Sequence, residues 1–175
     1  MDLNTMSNWA EIISVIIVIG GFSFAVMQLH QFILQRRALA TLELARSFQN
    51  PEFTHAMRLI LSLEPKLSAK EIRAKGGEYE DAAMLVALTV ESVGIMVHRR
   101  MVSITMVWEL MGGLLLSYWE HMEPWILDIR KEQGRDKFNE WAQWLAIQLS
   151  MLDNDKAFTP AFEKHKDWRP NIIIF

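Results

Sequence analysis

The chain has 175 residues, 51% of them apolar, with 18 Lys and Arg against 21 Asp and Glu and no Cys. Lacking a net positive field to hold a polyanion, it excludes nucleic acid as an expected partner. The absence of Cys excludes disulfides, thiol catalysis and cysteine–zinc sites, and fits a reducing compartment.

From Ile12 to Leu34 the chain runs 23 residues without a formal charge, and Arg36-Arg37 come after it. At about 1.5 Å per residue a helix of that length reaches roughly 35 Å, against about 30 Å of hydrocarbon. The run is expected to cross a lipid bilayer. No Lys or Arg precedes it, whereas Arg36, Arg37 and Arg46 lie beyond it. The positive-inside rule therefore puts a short N-terminus outside and the remainder in the cytoplasm, at the cell inner membrane. Trp9 marks the outer interface, and Gln28, His30 and Gln31 fall at the headgroup level on the cytoplasmic side. A signal peptide is disfavoured, because there is neither a basic leading segment nor a small-residue cleavage site. The competing reading is a core helix of a soluble protein, since Gln28 and His30 shorten the strictly apolar part. Within the span, Gly21 and Ala25 have the small-xxx-small spacing that lets two helices approach, a candidate oligomer contact.

The helix is expected to continue through Phe48, with Leu39, Leu42, Ala45 and Phe48 packing on the next helices of the chain. Asn50-Pro51-Glu52 opens the next helix, roughly 51–63, whose inner stripe is Phe53, Met57, Ile60 and Leu61. Ser68-Ala-Lys-Glu71 is a capping-box pattern for a short helix stopped by Gly76-Gly77. A long apolar helix then runs from about Tyr79 to His98. Ser103 caps a further helix from Ile104 that is expected to kink or break near Pro124 and to close at Gly134. The last helix, from about Asp136 to Leu152, carries Phe138, Trp141, Leu145 and Leu149 on one face. Useful β-period alternation is absent. The fold class is all-α: an N-terminal transmembrane helix (1–35) continuing into a cytoplasmic helical bundle (36–152), then an irregular tail (153–175). Met84–Val97 and Met101–Trp119 are nearly uncharged as well. Each holds a central carboxylate, Glu91 or Glu109, that costs about 2.5–3.5 kcal/mol in a membrane. They fit better as the core helix pair of the bundle.

Few residues suggest chemistry. Glu52-Phe-Thr-His55 is a single Glu-x-x-His spacing where di-iron bundles need two, and helix-dipole complementarity explains it. Glu91 and Glu109, in apolar surroundings, form a candidate buried polar cluster with His98, Arg99 and Arg100. Ion pairs fixing the helix register are the structural version; a small-ligand pocket or a proton switch through His98 is the functional one. No Arg is followed by His at the four-to-six-residue interval of helical nucleases, and no phosphate loop, Ser-His-Asp logic or nucleophile elbow occurs. Catalytic, cofactor-binding and metal residues are therefore expected to be none, and no cofactor is expected. Seven Trp fill the core or lie at interfaces.

The segments Arg46-Ser-Phe-Gln-Asn-Pro-Glu-Phe, Val90-Glu-Ser-Val-Gly-Ile, Arg99-Arg100, Val107-Trp-Glu-Leu-Met-Gly-Gly, Tyr118-Trp-Glu and Pro124-Trp-Ile-Leu-Asp-Ile-Arg130 cover about residues 9–150. In them the chain resembles a bacterial family of uncharacterised membrane proteins, a domain of unknown function with one N-terminal span and a cytoplasmic helical part. The resemblance implies that topology and no activity. In size and topology alone the chain is also similar to small membrane effectors of bacterial immunity that assemble into rings or pores. The expected function is a non-enzymatic membrane-anchored helical module that self-associates, as a homo-oligomer, and presents a cytoplasmic surface to itself or to a protein partner. The alternatives are an oligomeric pore-forming or membrane-disrupting effector, with Gln28, His30 and Gln31 as its polar lining, and an enzyme using Glu91 and Glu109 with His98.

Overall fold

Local capping chemistry sets most of the helix boundaries. A computed structural model describes residues 3–153 and 160–170; within the first twelve residues only the Trp9 side chain is described. Of the tail expected to be irregular (153–175), residues 154–159 and 171–175 lie outside the described residues. Among the described residues seven helices succeed one another, α1 (Leu3–Gln49), α2 (Pro51–Leu61), α3 (Ala69–Lys75), α4 (Gly77–His98), α5 (Ile104–Gln133), α6 (Glu140–Asp153) and the short α7 (Ala161–Lys164). Strands are absent from the described residues, and the fold is all-α.

The chain divides into two compact units, residues 1–43 and 44–175. The first is the greater part of α1, whose described side chains from Ile13 to Leu39 are all exposed. The second is the bundle, and its first buried residue is Leu44. The expected stripe at the end of α1 needs correcting, because Leu39 and Leu42 are exposed. Two residues are about 200° of helix, so burying Leu44 turns Leu42 the other way. Phe48, one turn past Leu44, brings its ring centroid to 5.4 Å from that of Phe53.

In α2, Asn50 accepts the Glu52 N–H at 2.9 Å, Pro51 occupies the first turn, and Phe53, Ala56, Met57 and Ile60 are buried. The Ser68–Glu71 capping box opens α3, and the Ala69 N–H donates at 3.1 Å to Asp128 of α5. Arg73 of α3 donates to Glu80 of α4 at 2.7 Å and makes a two-pronged pair with Glu132 of α5 at 2.8 and 2.7 Å. That pair holds the Glu132 carboxyl below the usual carboxylate range. At the end of α4, Arg100 takes a positive φ of 57°. The Met101 N–H reaches back to the Met96 carbonyl at 2.9 Å, closing the helix as a Schellman turn.

α4 is the central helix, but not as half of a pair with α5. It packs mainly on α2 and α6. The reason is Gly94: a Cβ there would lie 2.7 Å from the Trp141 carbonyl carbon, so only glycine lets the start of α6 come this close. α5 also departs from expectation. Its helical path breaks at Met111 (φ −161°, ψ 19°) rather than at Pro124. Gly112 and Gly113 come directly after, and Gly112 lies against the Trp108 ring with no room for a side chain. Pro124 stays inside the helix, while the Lys66 N–H donates at 3.0 Å to the His121 carbonyl in the same turn. α6 starts later than expected, at Glu140, because Gly134 (φ 60°) ends α5 and Asn139 (φ 56°) turns the chain again. Its buried face is Ala142, Leu145, Ala146 and Leu149, with Trp141 and Phe138 only half-buried.

Gly94→Ala is expected to lower the unfolding free energy by about 1–3 kcal/mol, the usual cost of overpacking. Gly113→Ala, surrounded by open space, should instead gain about 0.5–1 kcal/mol. Urea denaturation of the two variants checks both values; equal effects would show that the α4–α6 approach is not glycine-limited.

Candidate functional site

A helix begins with backbone N–H groups that have no intrahelical acceptor and with the positive end of its dipole. For α6 the acceptor comes from another helix. Glu91 of α4 receives the Ala142 N–H at 2.8 Å, with the Trp141 amide beside it. Gly94, one turn further along α4, clears the space for Trp141. Asn139, buried just before α6, accepts the Tyr118 hydroxyl at 3.0 Å. Arg130 of α5 donates to the Phe138 carbonyl at 2.7 Å and to Gln143 at 2.8 Å. The result is a polar seat for α6 built by α4, α5 and the turn between α5 and α6.

Burial pushes the Glu91 carboxyl above the usual range, and the two amides partly counter it. Burial also pushes the Tyr118 hydroxyl up, so it remains a donor at any working pH. Both groups are committed to backbone and amide partners. The arrangement can hold a helix; it offers no nucleophile paired with a base. Among the described residues, no group of three or more His, Asp or Glu side chains could hold a metal ion.

The expected cluster of Glu91, Glu109, His98, Arg99 and Arg100 is not one site. Of these five only Glu91 is withdrawn from solvent, and its partners are backbone amides, not arginines. Glu109 is exposed, two residues from the buried Val107 and so on the opposite face of α5, near Lys164 and His165. Arg99 and Arg100 are exposed because they form the end of α4. The His98 ring stacks against Trp141 (4.5 Å between centroids) and Trp144 (5.7 Å), so it supports the α6 seat from the rim. Gly21 and Ala25 lie on the exposed surface of α1, with open space where a Cβ on Gly21 would stand.

Two apolar surfaces accompany the seat. On α1 every described Ile, Val and Phe side chain of the uncharged run is exposed, by as much as 72% at Phe22. In the bundle, Phe48, Phe53, Met57, Leu61 and Leu114 line an open crevice of about 530 Å³ with Arg58 on its wall. Its size is in the range of ligand-binding clefts, and its lining is mostly apolar. Tyr118, Arg130 and Asn139 were missed from the sequence because their meeting depends on the turn at Asn139. The spacing Glu91-x-x-Gly94, which sets a carboxylate and a gap on one helix face, was the available signal.

Fold and site thus define a helical protein whose bundle is organised around a cross-helix cap and is preceded by a long, unburied apolar helix. The chain belongs to the family described as a domain of unknown function, DUF4760, which matches residues 14–149. That stretch begins within the uncharged run and ends inside α6. No curated protein and no solved structure matches the chain.

The raised Glu91 pKa has a definite sign for stability. The folded state holds this proton more tightly than the unfolded chain, so the contribution is full below the ordinary glutamate range. It falls as pH climbs through the raised folded value. Glu91→Gln keeps an acceptor but does not titrate. Its urea midpoint should therefore gain on that of the parent as pH rises across this window and converge with it at low pH; a constant offset would contradict the burial argument. Glu91→Ala, which leaves the α6 amides without an acceptor, should cost about 1–2 kcal/mol at low pH and less as pH climbs through the raised folded value.

Proposed function

We propose that the protein is a non-enzymatic helical module of the bacterial inner membrane. A single span, with its N-terminus outside, anchors it, and its bundle self-associates and offers a cytoplasmic surface to a protein partner. The observation that supports this reading is the exposure of α1. The window within Ile13–Gln49 has a mean hydropathy of 1.9 with no residue buried. Water would leave all of that apolar surface unfavourably hydrated, whereas lipid covers it without loss of hydrogen bonds, because a helix satisfies its own backbone. α4 is also long and apolar enough to span, with a mean hydropathy of 1.4. Its place at the centre of the bundle favours a core role. The apolar crevice beside Arg58 is the kind of recess that receives an aliphatic or aromatic side chain from a partner.

A second reading, an oligomeric pore, draws on Gln28, His30 and Gln31, which lie exposed among the apolar residues of the same run. Strong induction should then depolarise the membrane; a normal potential removes it.

The full-length protein is expected to sediment with membranes, to resist alkaline carbonate and to enter solution only with detergent. Paired substitutions Ile16→Arg and Ile19→Arg should release it. A chain that stays in the high-speed supernatant without detergent overturns the anchor. Light scattering of the extracted protein should give a dimer or larger species at micromolar concentration, and a clean monomer overturns self-association.

A further inference from the structure

α4 is apolar on nearly all sides, yet the bundle covers only part of it. Ala82, Ala83, Val86, Ala87, Val90, Val93, Gly94 and Val97 are buried. The remaining face is a stripe of Asp81, Leu85, Leu88, Ser92, Ile95 and Arg99, and every one of these residues is exposed. Leu85, Leu88 and Ile95 are exposed by 38%, 55% and 40%. Their spacing alternates four and three, the repeat by which two helices pack as a left-handed pair. The stripe's hydroxyl and its neighbour are already engaged: Ser92 donates to the Leu88 carbonyl at 2.9 Å and Thr89 to the Leu85 carbonyl at 2.8 Å. Its middle therefore asks nothing of water. Its ends carry opposite charges, and neither the Asp81 nor the Arg99 side chain has a partner among the described residues.

The positions of the stripe are also symmetric, and its two end charges are opposite. Asp81 and Arg99, Leu85 and Ile95, and Leu88 and Ser92 are each symmetric about residue 90. An antiparallel pair of α4 helices related by a two-fold axis sets Asp81 against Arg99 of the second copy at both ends. Leu85 then meets Ile95, and Leu88 meets Ser92. A parallel pair would instead set aspartate on aspartate and arginine on arginine. Charge thus selects the orientation, and the same patch serves both copies, as a two-fold contact requires.

We propose that this face of α4 is the contact through which two copies of the chain pair, antiparallel about residue 90. The proposal rests on the self-association reading above and names its interface. Other occupants fit less well: the middle of the stripe is covered on its other side by α2 and α6 and so is not free to sink into lipid, and a dissimilar partner has no need of end charges that pair reciprocally with a second copy.

Charge exchange in the full-length, detergent-extracted protein tests it. Asp81→Arg and Arg99→Asp, each alone, put like charges at both ends of the pair. Each should weaken the dimer about tenfold. The double variant, Asp81→Arg with Arg99→Asp, restores opposite charges and should recover the parental dissociation constant. Both residues are exposed, and recovery on adding a second substitution cannot come from damage to the fold. Because the chain has no Cys, a Leu88→Cys, Ser92→Cys variant should form a disulfide-linked dimer on mild oxidation, whereas Leu110→Cys should not. Single-charge variants that dimerise like the parent, or a double variant that is not rescued, overturn the α4 interface while leaving self-association standing elsewhere, as at Gly21 and Ala25. A parent protein that is monomeric at micromolar concentration overturns both. Labelling of the Leu88→Cys variant by a lipid-soluble but not a water-soluble maleimide, with no cross-link, assigns the stripe to lipid and likewise overturns it.

Discussion

The first turn of α6 meets α4 where two requirements coincide one turn apart, a carboxylate at Glu91 and an absent side chain at Gly94. The glycine lets the Trp141 backbone approach, and that approach brings the α6 amides within reach of the carboxylate. Neither feature suffices alone. A larger residue at position 94 would push the amides away, and an apolar residue at position 91 would leave a buried helix end without an acceptor. The rest of this side of the bundle depends on that contact. With α6 seated, Asn139 is enclosed where Tyr118 can reach it, Arg130 can bind the Phe138 carbonyl, and Trp141 and Trp144 stand against the exposed His98 ring. Burial raises the Glu91 pKa, and the α6 amides and the helix dipole partly offset that rise in the place of a counter-ion.

α4 has a different character on its other side. A helix that is apolar all round carries the composition of a membrane span and of a core helix alike. Packing separates the two here: α2 and α6 cover one face, and the uncovered face is a narrow stripe with a charge at each end. α1 differs in kind. From Ile13 to Leu34 its exposed surface is broad, uncharged and without a defined seam. The first surface has the order that a particular protein face can match, and the second has the uniformity that a fluid solvent can match.

Helix ends written in local chemistry could be read from the sequence. The Asn50–Pro51 start, the Ser68–Glu71 capping box, the Ser103 cap and the Gly134 stop all stand where their residue types require. Features set by distant partners could not be read. Proline is the visible breaker in α5 and points to a bend at Pro124, but the helix yields instead at Met111, where Gly112 packs against Trp108. A start for α6 near Asp136 follows from helix periodicity, but Asn139, a residue type that tolerates positive φ, turns the chain there, and its φ of 56° is sustained by burial and by Tyr118, 21 residues away. The site was half legible. Glu91 stands out as a carboxylate in an apolar helix, and nearby arginines are the partners its sequence offers, but its partner is the Ala142 amide. A helix N-terminus acts as a cation that no residue letter records, so charge counting passed over it.

The proposed anchor and the proposed pairing reinforce one another energetically. A contact of one helix stripe, with three apolar positions and a charge pair at each end, lies at the small end of interfaces that hold two proteins in solution. Confinement of both copies to one membrane raises their effective concentration, so a modest contact becomes sufficient. The same arithmetic explains why the stripe need not be more apolar. A larger hydrophobic face would stick during synthesis and favour any partner, whereas terminal charges that match only in one orientation penalise wrong pairings without adding much affinity. A short, charge-ended stripe on the central helix is therefore what an anchored protein needs if it is to pair reversibly with its own kind.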